Sequence, residues 1–136
     1  MFRTTPALVV AVALGFAATT FAQQPTPAPP ASNIKRTVLQ KVDVPGTSLD
    51  AVTAIAEIPP AVNIGRHTHP GPETGYVIEG EMTLMVDGQP AKTLKAGDSY
   101  QIPSRAIHDA KGGEKGTKVM AVYVVEKGKP LATPAP

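Results

Sequence analysis

Residues 67–80 read His67-Thr68-His69-Pro70-Gly71-Pro72-Glu73-Thr74-Gly75-Tyr76-Val77-Ile78-Glu79-Gly80. Two histidines separated by one residue project to the same face of an extended strand, because successive strand side chains alternate. Both imidazoles then reach one point. Pro70-Gly71-Pro72 redirects the chain, and Glu73 enters the next β-rich run, where its carboxylate can join them. The third and last histidine, His108, lies beyond the turn Pro103-Ser104-Arg105. Three imidazoles and one carboxylate around a metal ion leave one or two positions open for a substrate or dioxygen. Taken singly, each histidine has an ordinary alternative as a surface residue beside a bend or, for His108, as a partner of Asp109. Their joint placement is what points to a metal.

Outward from this stretch, short apolar runs are separated by Gly, Pro and Asp, the punctuation of strands and turns. The pattern predicts strands over 37–44, 50–58, 62–68, 73–79, 81–87, 91–94, 98–102, 106–110 and 117–126. Asp87-Gly88 is a hairpin signal, since a tight turn needs the positive φ that Gly supplies without steric cost, and Gly80 separates two β-rich runs in the same way. Parallel strands would need crossover helices, and no helical period is present. An all-β, antiparallel sandwich or barrel follows. Parity along 81–86 turns Met82, Leu84 and Val86 toward its interior.

Composition narrows the chemistry. With 136 residues the chain makes one domain, and 15 prolines argue against long helices. The absence of cysteine removes disulfides, zinc ribbons, iron–sulfur clusters and thiol nucleophiles, so a metal must be held by His and carboxylates. A net charge of +2, with Lys and Arg scattered among acidic residues, argues against nucleic acid as a partner. Lys111, Lys115 and Lys118 read as a solvated loop face.

Residues 1–22 carry Arg3 as their only charge, an apolar run over 7–18 and small residues up to Ala22. This is the layout of a cleaved secretory signal peptide, and the apolar run is shorter than a membrane span requires. After cleavage near Ala22 the mature chain is expected in the periplasm or secreted, with no membrane attachment; an uncleaved anchor is the alternative. Residues 23–34 form a Pro-rich linker, 35–128 the domain, and 129–136, with three more prolines, a disordered tail.

The arrangement His67-X-His69-X3-Glu73-X6-Gly80, followed after sixteen residues by Gly97-X5-Pro103 and His108, resembles the two conserved motifs of the cupin superfamily, close to the short spacing of small single-domain bacterial members. The resemblance spans about residues 45–125. It departs from the motifs at three places where the family usually has Gly, Gly and Asn and this chain has Ala61, Arg105 and Gly112. None is a metal ligand in the family. They bear on turn geometry and the pocket rim instead.

The resemblance implies an antiparallel jelly-roll β-barrel holding one divalent transition metal (Fe, Mn, Ni, Cu or Zn) through His67, His69, Glu73 and His108. It implies a small-molecule ligand or substrate and a metal-dependent dioxygenase-like reaction on a small aromatic or enolic compound. A non-catalytic ligand-binding or sensing role, or a sugar or uronate isomerase or lyase, are the alternatives. Candidates for a second catalytic group are Tyr76, Gln101 and Arg105, with Tyr100 and Tyr123 as further polar residues able to reach a ligand. Arg105 would favour an anionic substrate if it projected toward the mouth. Small members often pair through sheet edges, so a homodimer is expected, with 37–44 as an edge-covering or exchanging strand.

Overall fold

The computed structural model describes residues 33–136, so the expected leader and most of the linker lie outside the described residues. Eight antiparallel strands form one sheet that curls on itself: β1 (Lys35–Asp43), β2 (Leu49–Ile58), β3 (His67–Thr68), β4 (Glu73–Val86), β5 (Lys92–Lys95), β6 (Ser99–Ile102), β7 (His108–Glu126) and β8 (Thr133–Pro134). Among the described residues there is no helix long and apolar enough to cross a membrane. The fold is the all-β antiparallel arrangement that the strand pattern predicts.

Its spine is the pair β4·β7, in register from Glu73↔Tyr123 to Val86↔His108. Beyond Thr117, the free edge of β7 pairs with β2, which in turn carries β1; at its other end β7 pairs with β3 through His67↔His108. The outer edge of β4 holds β6 along Glu73–Tyr76 and β5 along Glu81–Leu84. Strict alternation on β2 and on the second half of β7 sends Val52, Ala54, Ala56, Ile58, Val119, Ala121, Tyr123 and Val125 inward. Ala56, Ile58 and Val119 among them pack with Val77, Met82, Leu84, Leu94 and Ile102 from β4, β5 and β6, whereas Val52, Ala54, Ala121, Tyr123 and Val125 form a second cluster. Val86 is buried with them, so the parity reading of Met82, Leu84 and Val86 holds.

Several expected boundaries move. The runs 73–79 and 81–87 are one strand, and Gly80 marks bulges rather than a turn: the register shifts between Val77 and Glu79 and again between Gly80 and Met82. Gly80 has φ +75°, and a Cβ there would lie 2.1 Å from the Gly116 carbonyl oxygen, so only glycine admits this close crossing of the two spine strands. The runs 106–110 and 117–126 likewise join into β7, whose Gly112, Gly113 and Gly116 are bent strand rather than loop. A continuous strand with bulges satisfies the backbone groups that two hairpins would expose. The expected strand over 62–68 reduces to His67–Thr68 and an isolated bridge at Asn63↔Lys111. Asp87-Gly88 does turn the chain, with Gln89 N–H donating to the Val86 carbonyl.

The expected disorder of 129–136 is corrected. Thr133–Pro134 pairs with His67–Thr68 as β8, and Leu131 packs on the cluster around Tyr123. Proline lacks a ladder donor but is tolerated on an edge strand, and β8 is one. The domain also begins earlier than 35, since Ile34 packs on the main core.

Candidate metal centre

Register assembles the site. His67 faces His108 across β3·β7, and Glu73 lies between Tyr123 on β7 and Ile102 on β6. His69 follows β3 at once. All four side chains are buried, and the three imidazoles have nitrogens within 4.8 Å of one another, close enough to hold one metal ion. The fold therefore brings His108 to His67, His69 and Glu73, which lie close together in the chain.

Each ring is locked by a carbonyl. Nδ1 of His67 lies 2.7 Å from the Gly65 carbonyl oxygen, Nδ1 of His69 lies 2.6 Å from that of Leu131, and Nδ1 of His108 lies 2.9 Å from that of Ala106. A carbonyl only accepts, so each Nδ1 carries the proton and donates. Each ring then directs its Nε2 toward the site, the arrangement in which backbone acceptors orient metal-binding imidazoles.

Glu73 closes the set. Its Oε2 lies 2.9 Å from His69 Nε2 and 3.6 Å from His108 Nε2, and its Oε1 accepts a 2.8 Å hydrogen bond from the Tyr100 hydroxyl. His69 Nε2 is fully buried and, despite its nearness to Oε2, has no directed hydrogen-bond partner. Two acceptors this close need something positive between them, a proton on the ring or a metal ion. The donor set, three imidazole nitrogens and a carboxylate oxygen, therefore fits a divalent transition metal.

Electrostatics agree with ligand duty. Burial lowers His67 to about 4, aided by its histidine neighbours against the pull of Gly65, so its ring is neutral at pH 7. Burial pushes the Glu73 carboxyl up, but the adjacent His108 and His69 rings and the Tyr100 hydroxyl outweigh it and hold it at about 2. Burial, reinforced by the Glu73 charge, pushes both Tyr100 and Tyr123 upward, so both phenols stay protonated.

A cavity of about 20 Å³ opens beside these groups, lined by His67, Glu73 and His108, by Tyr100 and Tyr123, and by apolar residues including Met82, Leu84, Ile102 and Val119. Gly75 makes room for one wall. A Cβ on it would lie 2.2 Å from the Tyr100 ring, so its bareness lets that ring lie flat and reach Glu73.

Three of the candidate second groups stand elsewhere. Tyr76 is 46% exposed on the outer face of the sheet, and Gln101, in register with Thr74, is exposed on that same face. The Arg105 side chain is 76% exposed and pairs with Glu126 at 3.3 Å, so it does not guard the mouth. Asp109 is not a partner of His108; it accepts from Asn63 Nδ2 and the Gly65 amide, tying down the loop before His67. Tyr100 and Tyr123 do reach the site. Sequence reading missed Arg36, which lines the cavity, and the Leu131 carbonyl. The place of Arg36 is set by the β1·β2 register, which puts it opposite Ala56. No side-chain pattern announces a backbone carbonyl.

The motif departures have a structural counterpart. Ala61 and Arg105, standing where the two motif glycines are usual, have φ of +57° and +61°, the only non-glycine residues in that region among those described. The left-handed backbone is kept although the residue that favours it is absent.

Comparison with known proteins places these features in a family. No curated protein matches the sequence. Among solved structures, the chain resembles the DMSP lyase DddQ from Ruegeria pomeroyi at 16% identity and a TM-score of 0.63, covering 75% of this chain and 51% of that one. It thus spans about half the length of that lyase. It also resembles a protein with a double-stranded β-helix domain from Klebsiella pneumoniae (23% identity, TM-score 0.60, covering 80% of this chain and 90% of that one). KdgF from Halomonas sp. is a third likeness (21% identity, TM-score 0.56, covering 70% and 81%). At these identities the likeness is one of fold. The cupin domain family matches residues 54–126, more than half of the chain, from the middle of β2 through both histidine-bearing segments to the end of β7, and the chain belongs to that family.

Proposed function

We propose that this chain is an exported, metal-dependent cupin enzyme that holds one divalent transition metal through Nε2 of His67, His69 and His108 and a carboxylate oxygen of Glu73, and acts on a small enolic compound in a dioxygenase-like oxidation. The observation that carries the metal is the set of three Nδ1–H groups anchored on backbone carbonyls, which turns three lone pairs and a carboxylate onto one buried point. A bound Fe, Mn, Ni, Cu or Zn ion supplies Lewis acidity toward a chelating ligand and, where redox-active, a site for dioxygen. The protein supplies the surroundings. Tyr100 keeps one Glu73 oxygen occupied, both phenols remain hydrogen-bond donors, and Met82, Leu84, Ile102 and Val119 exclude water. The tightness of the cavity favours a compound of few atoms over a fused aromatic one.

The protonated phenols beside Glu73 favour a second reading, a lyase or isomerase in which Tyr100 or Tyr123 delivers a proton. Metal analysis followed by an oxygen electrode tests both. Wild type is expected to hold about one metal ion per chain, His69→Ala and His108→Ala to lose it, and Fe(II)-loaded protein to consume oxygen with a small diketone. Product formed without oxygen uptake selects the second reading. A ligand that raises Tm without turnover selects a binding role. Histidine variants as metal-rich as wild type reject the four-ligand centre.

The same reading makes the mature chain a homodimer outside the cytoplasm. Support comes from Val38, Leu39 and Val42 on the edge strand β1, exposed together with Tyr76, Ile78 and Met120. Sedimentation of the chain lacking residues 1–22 tests it; a monomer at micromolar concentration rejects it.

A further inference from the structure

Arg36 is the unexpected charge in this barrel. Its row across the sheet is Arg36↔Ala56↔Val119↔Val77, three inward residues each no more than 3% exposed, whereas its neighbour Lys35 lies in the outer row and pairs with Glu57 at 3.1 Å. Arg36, exposed on β1, lines the cavity that also holds His67, Glu73, His108 and Tyr123. The other two arginines among the described residues have carboxylate partners: Arg66 grips Asp87 through both terminal nitrogens at 2.9 and 2.8 Å, and Arg105 meets Glu126. Among the described residues Arg36 forms no ion pair. Glu73 does not serve, because its Oε1 is taken by Tyr100 and its Oε2 faces His69 and His108.

We propose that Arg36 and Tyr123 form an anion subsite at the mouth of the cavity, so that the ligand of this site is a small carboxylate whose charged end is held there while its other end enters toward the histidines. The inference deepens the proposed function and rests on it for the inner end of the ligand. Guanidinium donors match the two oxygens of a carboxylate, and the Tyr123 hydroxyl, which lines the same cavity, is a further donor for that group. The rest of the lining is apolar apart from the metal-site residues and the two tyrosines, so Arg36 is the cavity's one fixed cation. A free volume of about 20 Å³ has room for about one water, which limits what passes Arg36 to a few atoms. A charge on an edge strand also discourages strand addition, and that role alone would require no preference among ligands.

Calorimetric titration of the full chain, with and without metal, decides between them. The probes are pyruvate and lactate against pyruvamide and lactamide, equal in shape and lacking the charge. The carboxylates are expected to bind wild type at least about tenfold more tightly than the amides. Arg36→Gln is expected to abolish that preference while metal content stays as in wild type, and Arg36→Lys to restore part of it. A preference that survives in Arg36→Gln, or its absence from wild type, overturns the subsite and leaves Arg36 as an edge-strand charge. Because the preference is also read on metal-free protein, loss of the metal centre in separate metal analysis leaves this result standing on its own.

Discussion

Ending the chain at Pro130 removes a segment whose residues look dispensable in sequence and whose backbone holds a metal-site histidine. The truncation deletes the Leu131 carbonyl that accepts from His69 Nδ1 at 2.6 Å, the pairing of β8 with β3, and the Ala135 amide bond to the Arg66 carbonyl at 2.9 Å. It also strips half-buried Leu131 from the Tyr123 cluster. With the Pro136 carbonyl that accepts from Arg66 Nε, three net hydrogen bonds at about 1 kcal/mol each and a similar amount for Leu131 give a loss of about 4 kcal/mol in metal-free stability. Metal affinity falls separately. His69 without its carbonyl is free to rotate and to move its proton to Nε2, and loss of such an orienting partner weakens metal affinity by about 10- to 100-fold, or about 1.4–2.8 kcal/mol. Competition with a chromogenic chelator measures the affinity, and urea unfolding of metal-free protein measures the stability. Leu131→Ala separates the two, because it keeps the carbonyl: it is expected to lose stability and retain metal affinity. A truncated chain that binds metal within twofold of wild type would refute the argument, and so would a Leu131→Ala chain that loses as much affinity as the truncation.

Three further outcomes follow from particular residues. Metal-free protein is expected to lose stability as pH falls below about 6.5: the unfolded chain protonates His67 near its ordinary value while the folded ring stays neutral down to about 4, and Glu73, held at about 2 when folded, extends the loss from about 4.5 downward. Thermal melts from pH 8 to 3 measure this, with His67→Gln expected to flatten the upper part of the curve and an unchanged curve counting against a neutral buried His67. Arg105→Gly relieves a left-handed residue at φ +61° and is expected to gain about 0.5–1 kcal/mol, whereas Arg105→Ala keeps the strain, loses only an exposed ion pair and stays within about 0.5 kcal/mol of wild type. Equal effects of the two would argue against strain at that turn. Gly80→Ala drives a methyl group to 2.1 Å from the Gly116 carbonyl oxygen and is expected to cost at least about 2 kcal/mol by urea unfolding, a result a neutral variant would contradict.

Alternation of apolar residues along 50–58 and 117–126, the turn at Asp87-Gly88 and the histidine spacing are local properties of the chain, and all were legible before any contact was known. They determine an all-β antiparallel barrel and name His67, His69, Glu73 and His108 as a set. Strand joining was not legible, because whether Gly80 is a turn or a bulge depends on the Gly116 carbonyl crossing above it, a contact between β4 and β7. The tail was not legible either: three prolines in eight residues have no preference for a sheet until an open edge of β3 offers itself. Side-chain chemistry marks a residue as able to bind a metal. Which lone pair it presents, and which arginine shares its cavity, is set by backbone carbonyls and strand register that only the folded chain brings into place.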